Sequence, residues 1–202
     1  CFVPLSPSRE AGKVVFLSSA RVVLDQADIS RAVRRISHEI VENSRGSDDL
    51  IILGIPTRGV PLARRIAETV AQIEGHPVPC GAIDVTLYRD DLRLREVRAL
   101  EPTDIPSQGI DGCTVVLVDD VLYSGRTIRA ALDAVHDLGR PAIVRLAVMI
   151  DRGHRELPIR PDFIGKNLPT AKDETVRVRF VEVDGVDDVM IDSESVGDVD
   201  AG

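Results

Sequence analysis

Three short apolar runs, Leu50–Ile55, Thr114–Val118 and Ile143–Ile150, alternate with stretches whose apolar residues recur at helical spacing. That order constrains the fold more than any other feature. A strand-length aliphatic run without polar alternation fits a strand covered on both faces, and such strands belong to parallel sheets. Asp25 to Asn43 places Ile29, Val33, Ile36, Ile40 and Val41 along one side of a helix. Val60 to Ile73 repeats the pattern and stops at Gly75, and Thr127 to Leu138 closes at Gly139. Val78–Leu87 reads as a further strand, and Val176–Val183 alternates at period two as a later one. The expected fold is α/β: an open parallel sheet flanked by helices. Ligands of such sheets sit at the carboxyl ends of the strands, so the residues just after Ile55, Val118 and Ile150 are the ones that carry chemistry.

The remaining features set bounds. At 202 residues and 44% hydrophobic, the chain suffices for one domain with a real core. No apolar run is long enough to span a bilayer, and the start lacks a secretory pattern. Three cysteines (Cys1, Cys80, Cys113) show no metal spacing and suit a reducing compartment, so a cytoplasmic protein without membrane attachment is expected. Residues 1–18 read as a loose tail, with a first residue that is not Met pointing to trimming or an added tag, and residues 186–202 as an acidic tail. The domain is therefore expected over residues 19–185. A net charge of −8 argues against a general nucleic-acid binder and leaves room for a local basic face.

The segment Thr114–Ala131 reads TVVLVDDVLYSGRTIRAA. Apolar residues carry the chain through the sheet, Asp119 and Asp120 mark its end, and a small polar turn opens a helix. Free backbone N–H groups at a helix start form an anion site without any lysine. Gly125 admits a phosphate close to the backbone, and Ser124 and Thr127 add hydroxyl donors. Neither GxxxxGKS/T nor GxGxxG occurs, so this is neither a nucleotide P-loop nor a dinucleotide fingerprint. Two carboxylates beside a phosphate cradle suit the 2′ and 3′ hydroxyls of a ribose that carries the phosphate.

VVLVDDVLYSGRT resembles the 5-phosphoribosyl-1-pyrophosphate (PRPP) signature of the type I phosphoribosyltransferases. IPTRG at Ile55–Gly59, DVTLYRDDL at Asp84–Leu92 and DRGHRELPIRPDFIGKN at Asp151–Asn167 are similar to one branch of it, the pyrimidine-operon regulators that are also uracil phosphoribosyltransferases. The likeness runs from about Val22 to Val183. It implies a parallel-sheet domain with a small hood and a flexible lid loop, and an enzyme that joins uracil to PRPP, giving UMP and pyrophosphate with Mg2+. It assigns PRPP binding to Asp119, Asp120, Val121, Leu122, Tyr123, Ser124, Gly125, Arg126 and Thr127. Thr57 and Arg58 become the pyrophosphate loop, Arg89 a further catalytic contact at the start of the lid, and Arg152 the uracil contact. Asp119 and Asp120 would hold Mg2+ largely through substrate and water. His154 reads as structural rather than as a general base. Purine-specific relatives carry an acid at the position of Tyr123; its absence fits a pyrimidine and leaves the catalytic base unassigned.

The resemblance also implies a second partner, pyrimidine-operon mRNA, with UMP or UTP as effector. Arg31, Arg34, Arg35 and His38 fall at spacings of three and four on the first helix, and Lys166 extends the set. Few aromatics (3%) make recognition rest on RNA shape and phosphates. Two alternatives stay open: a regulator that keeps the PRPP site mainly as a nucleotide sensor, and a transferase for another base. A homo-oligomer, dimer or higher, is expected from the same resemblance.

Overall fold

The computed structural model describes residues 16–44, 46–88 and 103–196. Its centre is a five-stranded parallel sheet in the order β3-β2-β4-β5-β6, formed by β2 (Leu50–Gly54), β3 (Cys80–Ala82), β4 (Thr114–Leu122), β5 (Ile143–Asp151) and β6 (Phe163–Asn167). Side chains alternate across its two faces. Leu50 and Ile52, Val116 and Val118, and Ala147 and Met149 join one core with helices α1 (Gln26–Ser44) and α2 (Gly59–Glu74). Ile51 and Leu53, Val115 and Leu117, and Leu146 and Val148 join another with α3 (Arg126–Leu138). Both faces are thus covered, which is why these strands read as continuous apolar runs.

The helices follow their sequence signals. Asp25 and Asp28 form a reciprocal cap on α1: the Asp28 N–H donates to the Asp25 carboxylate at 2.8 Å and the Asp25 N–H to the Asp28 carboxylate at 3.2 Å. Ile29, Val33, Ile36 and Ile40 form its buried stripe. Gly75 ends α2 in the left-handed region, its N–H donating to the Ala71 carbonyl.

Four expectations change. The strand expected to end at Val118 continues through Leu122, because Val121 and Leu122 pair with Ile150 and Asp151. Asp119 and Asp120 therefore lie within the strand. The strand expected over Val78–Leu87 shrinks to Cys80–Ala82; Asp84 accepts from the Thr86 N–H at 2.9 Å and its hydroxyl at 2.6 Å, winding residues 86–88 into a 3-10 turn. Val176–Val183 divides into β7 (Glu174–Arg179) and a short helix α4 (Val181–Asp184).

The boundaries expected at residues 19 and 185 also give way. β1 (Phe16–Leu24) pairs antiparallel with β8 (Asp188–Val196), and β8 with β7, giving a second sheet in the order β1-β8-β7. Val189 and Ile191 of the supposed acidic tail are buried in the α1/α2 core beside Val176, Val178 and Phe180. Met190 lies between them, so the segment lacks the polar alternation that marks a half-buried strand. Residues 89–102, which include Arg89 and most of the expected lid, lie outside the described residues, as do 1–15 and 197–202.

Candidate active site

The sheet order brings three loops to one edge. Gly54 is level with Val118, and Leu122 with Asp151, so the chain leaving β2, β4 and β5 emerges side by side. The first loop turns tightly into α2: a Cβ on Gly59 would sit 2.4 Å from the Val118 carbonyl oxygen, so the helix start lies hard against β4. This is where Thr57 and Arg58 sit.

The second loop leads from β4 into α3 and surrounds a cleft of about 260 Å3 lined by Asp119, every residue from Val121 to Ile128, and Glu156. All the expected phosphate-loop residues from Val121 to Thr127 thus meet at one cavity, with Asp119 at its side. Gly125 takes the left-handed conformation (φ 92°) at the N-cap of α3, and Ser124 Oγ accepts from the Arg126 N–H at 3.4 Å. The Ser124 carbonyl is occupied, accepting from Glu156 N–H at 3.0 Å and Leu157 N–H at 3.1 Å. The Arg126 side chain is paired with Glu156 at 2.7 Å. What the cleft offers a phosphate is the start of a helix and its dipole.

Asp119 is buried and accepts from the Asp120 N–H at 3.0 Å; Asp120 accepts from the Val121 N–H at 2.9 Å. Desolvation pushes the Asp120 carboxyl above the ordinary range, against the opposing pull of the Val121 N–H, Asp119 and the Arg58 charge. A carboxylate short of water and of counter-charge is ready for hydroxyl donors.

Arg58 is held from the far side. Its Nε and Nη2 donate to Asp184, at 3.0 and 2.6 Å, and this pairing raises the guanidinium pKa and lowers that of Asp184. Arg152 is buried beneath Tyr123, its guanidinium 4.3 Å from the ring centre. It donates to Thr170 Oγ1 at 3.1 Å and to the Ala171 and Glu174 carbonyls at 3.3 and 2.6 Å. His154 has a left-handed backbone (φ 58°), and its Nε2 bonds the Thr170 carbonyl at 2.6 Å. A carbonyl accepts only, so the proton is on Nε2. The bond ties the ring to the Thr170 backbone.

Sequence reasoning passed over two residues here. Asp184 stood at the border of the supposed tail, and no local pattern links it to Arg58, 126 residues earlier. Arg155 lay inside a quoted motif, but only its position in space shows that it joins the second and third loops.

The phosphoribosyl transferase domain family matches residues 20–180. Two curated relatives, both bifunctional protein PyrR, match at high identity. That of Leifsonia xyli subsp. xyli is 67% identical over 177 residues, spanning 85% of this chain and 96% of the relative. That of Streptomyces coelicolor is 61% identical, spanning 85% and 89%. The chain belongs to the PyrR family of phosphoribosyl transferases. The fold is shared more widely: the hypoxanthine phosphoribosyltransferase of Trypanosoma cruzi superposes with a TM-score of 0.66 at 17% identity, over 87% of this chain and 97% of that one.

On the opposite flank of this PyrR-family chain, α1 carries the basic residues. Arg31, Arg34 and His38 are exposed, as is Lys166 on β6. Arg31, Arg35 and Lys166 line one hollow of about 340 Å3, so the helix and the strand do form a common face. Within it, Arg31 pairs with Asp28, and Arg35 is tied to Glu39 at 3.2 Å and to the Ile164 carbonyl at 3.0 Å, docking α1 on β6. Among the described residues no helix is long and apolar enough to cross a membrane.

Proposed function

We propose that the chain transfers the phosphoribosyl group of PRPP to uracil, releasing pyrophosphate and UMP, and that it regulates pyrimidine genes by UMP-dependent binding of pyr mRNA. The observation that carries the reading is the cleft formed by Val121–Ile128, set between the Thr57–Arg58 loop and the Arg152–His154 loop. Three fixed loops match the three parts of the reaction.

The 5-phosphate rests on the N-terminus of α3 with Ser124 and Thr127, and Asp119 and Asp120 take the ribose hydroxyls. The ribose is thereby immobilised while its C1′ gains positive charge. The leaving pyrophosphate lies toward Arg58, which exchanges its Asp184 pairing for phosphate oxygens. Uracil lies toward Tyr123 and the loop after β5. Since the Arg152 side chain is committed to backbone carbonyls, it shapes this pocket by supporting Tyr123, and uracil's polar edge is met by loop backbone groups.

Among the described residues no three His, Cys, Asp or Glu side chains gather into a metal-holding cluster. The adjacent Asp119 and Asp120 carboxylates fit Mg2+ shared with substrate oxygens, which is how a hard, hydrated dication usually binds at phosphates. Bound there, Mg2+ would neutralise the departing pyrophosphate. The protein acts in the cytoplasm as a homo-oligomer, and Arg31, Arg34, His38 and Lys166 provide the RNA face, with UMP in the cleft favouring the RNA-binding state by linkage.

The test is pyrophosphate release from PRPP and Mg2+ with uracil, orotate, hypoxanthine or guanine offered singly. Turnover with uracil alone is expected. PRPP binding without turnover on any base would make the chain a nucleotide-sensing regulator, and turnover with a purine would overturn the pocket assignment. Arg34→Glu is expected to weaken UMP-dependent RNA retention at least tenfold with UMP synthesis unchanged; equal retention would remove α1 from the RNA face.

A further inference from the structure

One guanidinium joins the loop after β4 to the loop after β5. Arg155 Nη1 donates to the carbonyls of Leu122, Tyr123 and Gly153 at 3.4, 2.9 and 3.1 Å. Its Nε donates to the Ile159 carbonyl at 3.0 Å, and Nη2 pairs with Asp151 Oδ2 at 2.6 Å. The other Asp151 oxygen accepts from the Gly153 N–H at 3.0 Å. Both side chains are largely buried, 21% and 16% exposed.

The arrangement is more than a brace for one turn. Gly153 and His154 are successive left-handed residues (φ 79° and 58°), a conformation unfavourable for a residue with a Cβ. Surrounding contacts must hold it, and Arg155 closes it while gripping the phosphate loop with the same nitrogen. The carbonyls of Leu122 and Tyr123, two residues that line the cleft, both accept from Arg155. A flexible lysine makes the ion pair to Asp151 but lacks the planar fork that meets several carbonyls at once.

We propose that Asp151 and Arg155 are a positioning pair that sets the distance between the phosphate-binding loop and the base-side loop. The proposal rests on the transferase reading above. Neither side chain touches substrate; the pair acts by keeping the ribose and the base in reacting register, where displacement by an ångström is costly.

The experiment is steady-state kinetics on the wild-type protein, Arg155→Lys, Arg155→Met, Asp151→Asn and the double variant Asp151→Asn/Arg155→Met. Arg155→Met is expected to raise KM for both PRPP and uracil, and to lower kcat, each at least tenfold. Arg155→Lys recovers part of the loss, and the double variant loses little more than Arg155→Met alone. Movement of only one KM, or losses that multiply independently in the double variant, would overturn the pairing. Thermal melting checks the fold, and if Arg155→Met fails to fold, Arg155→Lys and Asp151→Asn carry the same comparison. If the wild-type protein turns over no base, the transferase reading fails and the pair is still tested by calorimetry with ribose 5-phosphate. Affinity in Arg155→Lys several-fold weaker than wild type supports it, and equal affinity sinks it.

Discussion

The two sheets are held by different forces. In the central sheet β2 is buried along its whole length, and the strands beside it place apolar residues on both faces. In the hood sheet, Val176 and Val178 of β7 point inward, while Arg177 and Arg179 point outward and pair with Asp192 at 2.8 Å and Asp188 at 2.7 Å. The hood is then fastened to α2 by charge. Arg65 lies over the Phe180 ring and donates to Glu182 at 2.7 and 2.6 Å and to Asp187 at 3.1 and 2.7 Å. Arg58, seven positions earlier and so on the same side of the helix, reaches Asp184. Apolar burial carries no titratable charge, whereas charge pairs respond to pH and, where exposed, to screening by salt. The central sheet therefore titrates little, whereas the element beside the Thr57–Arg58 loop responds to pH.

The strongest challenge to this contrast is a cut into the central sheet. Leu53→Ala removes a fully buried side chain between β2 and α3 and is expected to cost about 3 kcal/mol in urea unfolding, independent of pH between 5 and 8. Arg65→Met is expected to cost about 2 kcal/mol, because it leaves Asp187, 7% exposed, without its cation. An Arg65→Met loss equal to that of Leu53→Ala would make the charge fastening as strong as core burial, and no loss would make it idle.

Acid sharpens the comparison further. Hydrogen bonds from Arg65 and Arg58 hold the Glu182 and Asp184 carboxyls below their ordinary range, and Asp187 is lowered too, although its burial works the other way. Carboxyls depressed in the folded state contribute stability above their unfolded pKa, about pH 4, and that contribution is lost as pH falls through the folded values. Wild-type stability should drop more steeply than that of Arg65→Met below about pH 4, the two curves converging. Parallel curves would mean that these carboxyls titrate alike in both states.

The same contrast explains what could be read from the sequence. Leu50–Ile55, Thr114–Val118 and Ile143–Ile150 are legible because burial on both faces leaves an unbroken apolar run, and the α1 stripe because 3.6-residue spacing is local. β8 was hidden: of its described side chains Val189 and Ile191 are the buried apolar ones, and its partner β1 lies more than 160 residues away. The cleft-lining segment proposed to hold phosphate stood out in the sequence because a strand, two acids and a Gly-containing helix start are contiguous. Asp184 and Arg155 did not, since their work is to hold together segments that are distant in the chain.

Asp120 should show a stability effect of opposite sign and a large functional one. Desolvation raises its carboxyl pKa in the folded protein, so the native state keeps its proton to higher pH than the unfolded chain does. Above about pH 4, ionisation then costs the native state free energy, and below it the cost disappears. Asp120→Asn removes that charge. Measured without Mg2+, it should match wild type at low pH and be the more stable of the two at pH 7. On the proposed role the order should reverse with PRPP and Mg2+ present: a carboxylate that weakens the empty fold would hold ribose hydroxyls, and its loss should raise KM for PRPP at least tenfold. A variant that is less stable than wild type at pH 7, or that shows an unchanged thermal shift with PRPP and Mg2+, would show that Asp120 supports the strand instead of the substrate.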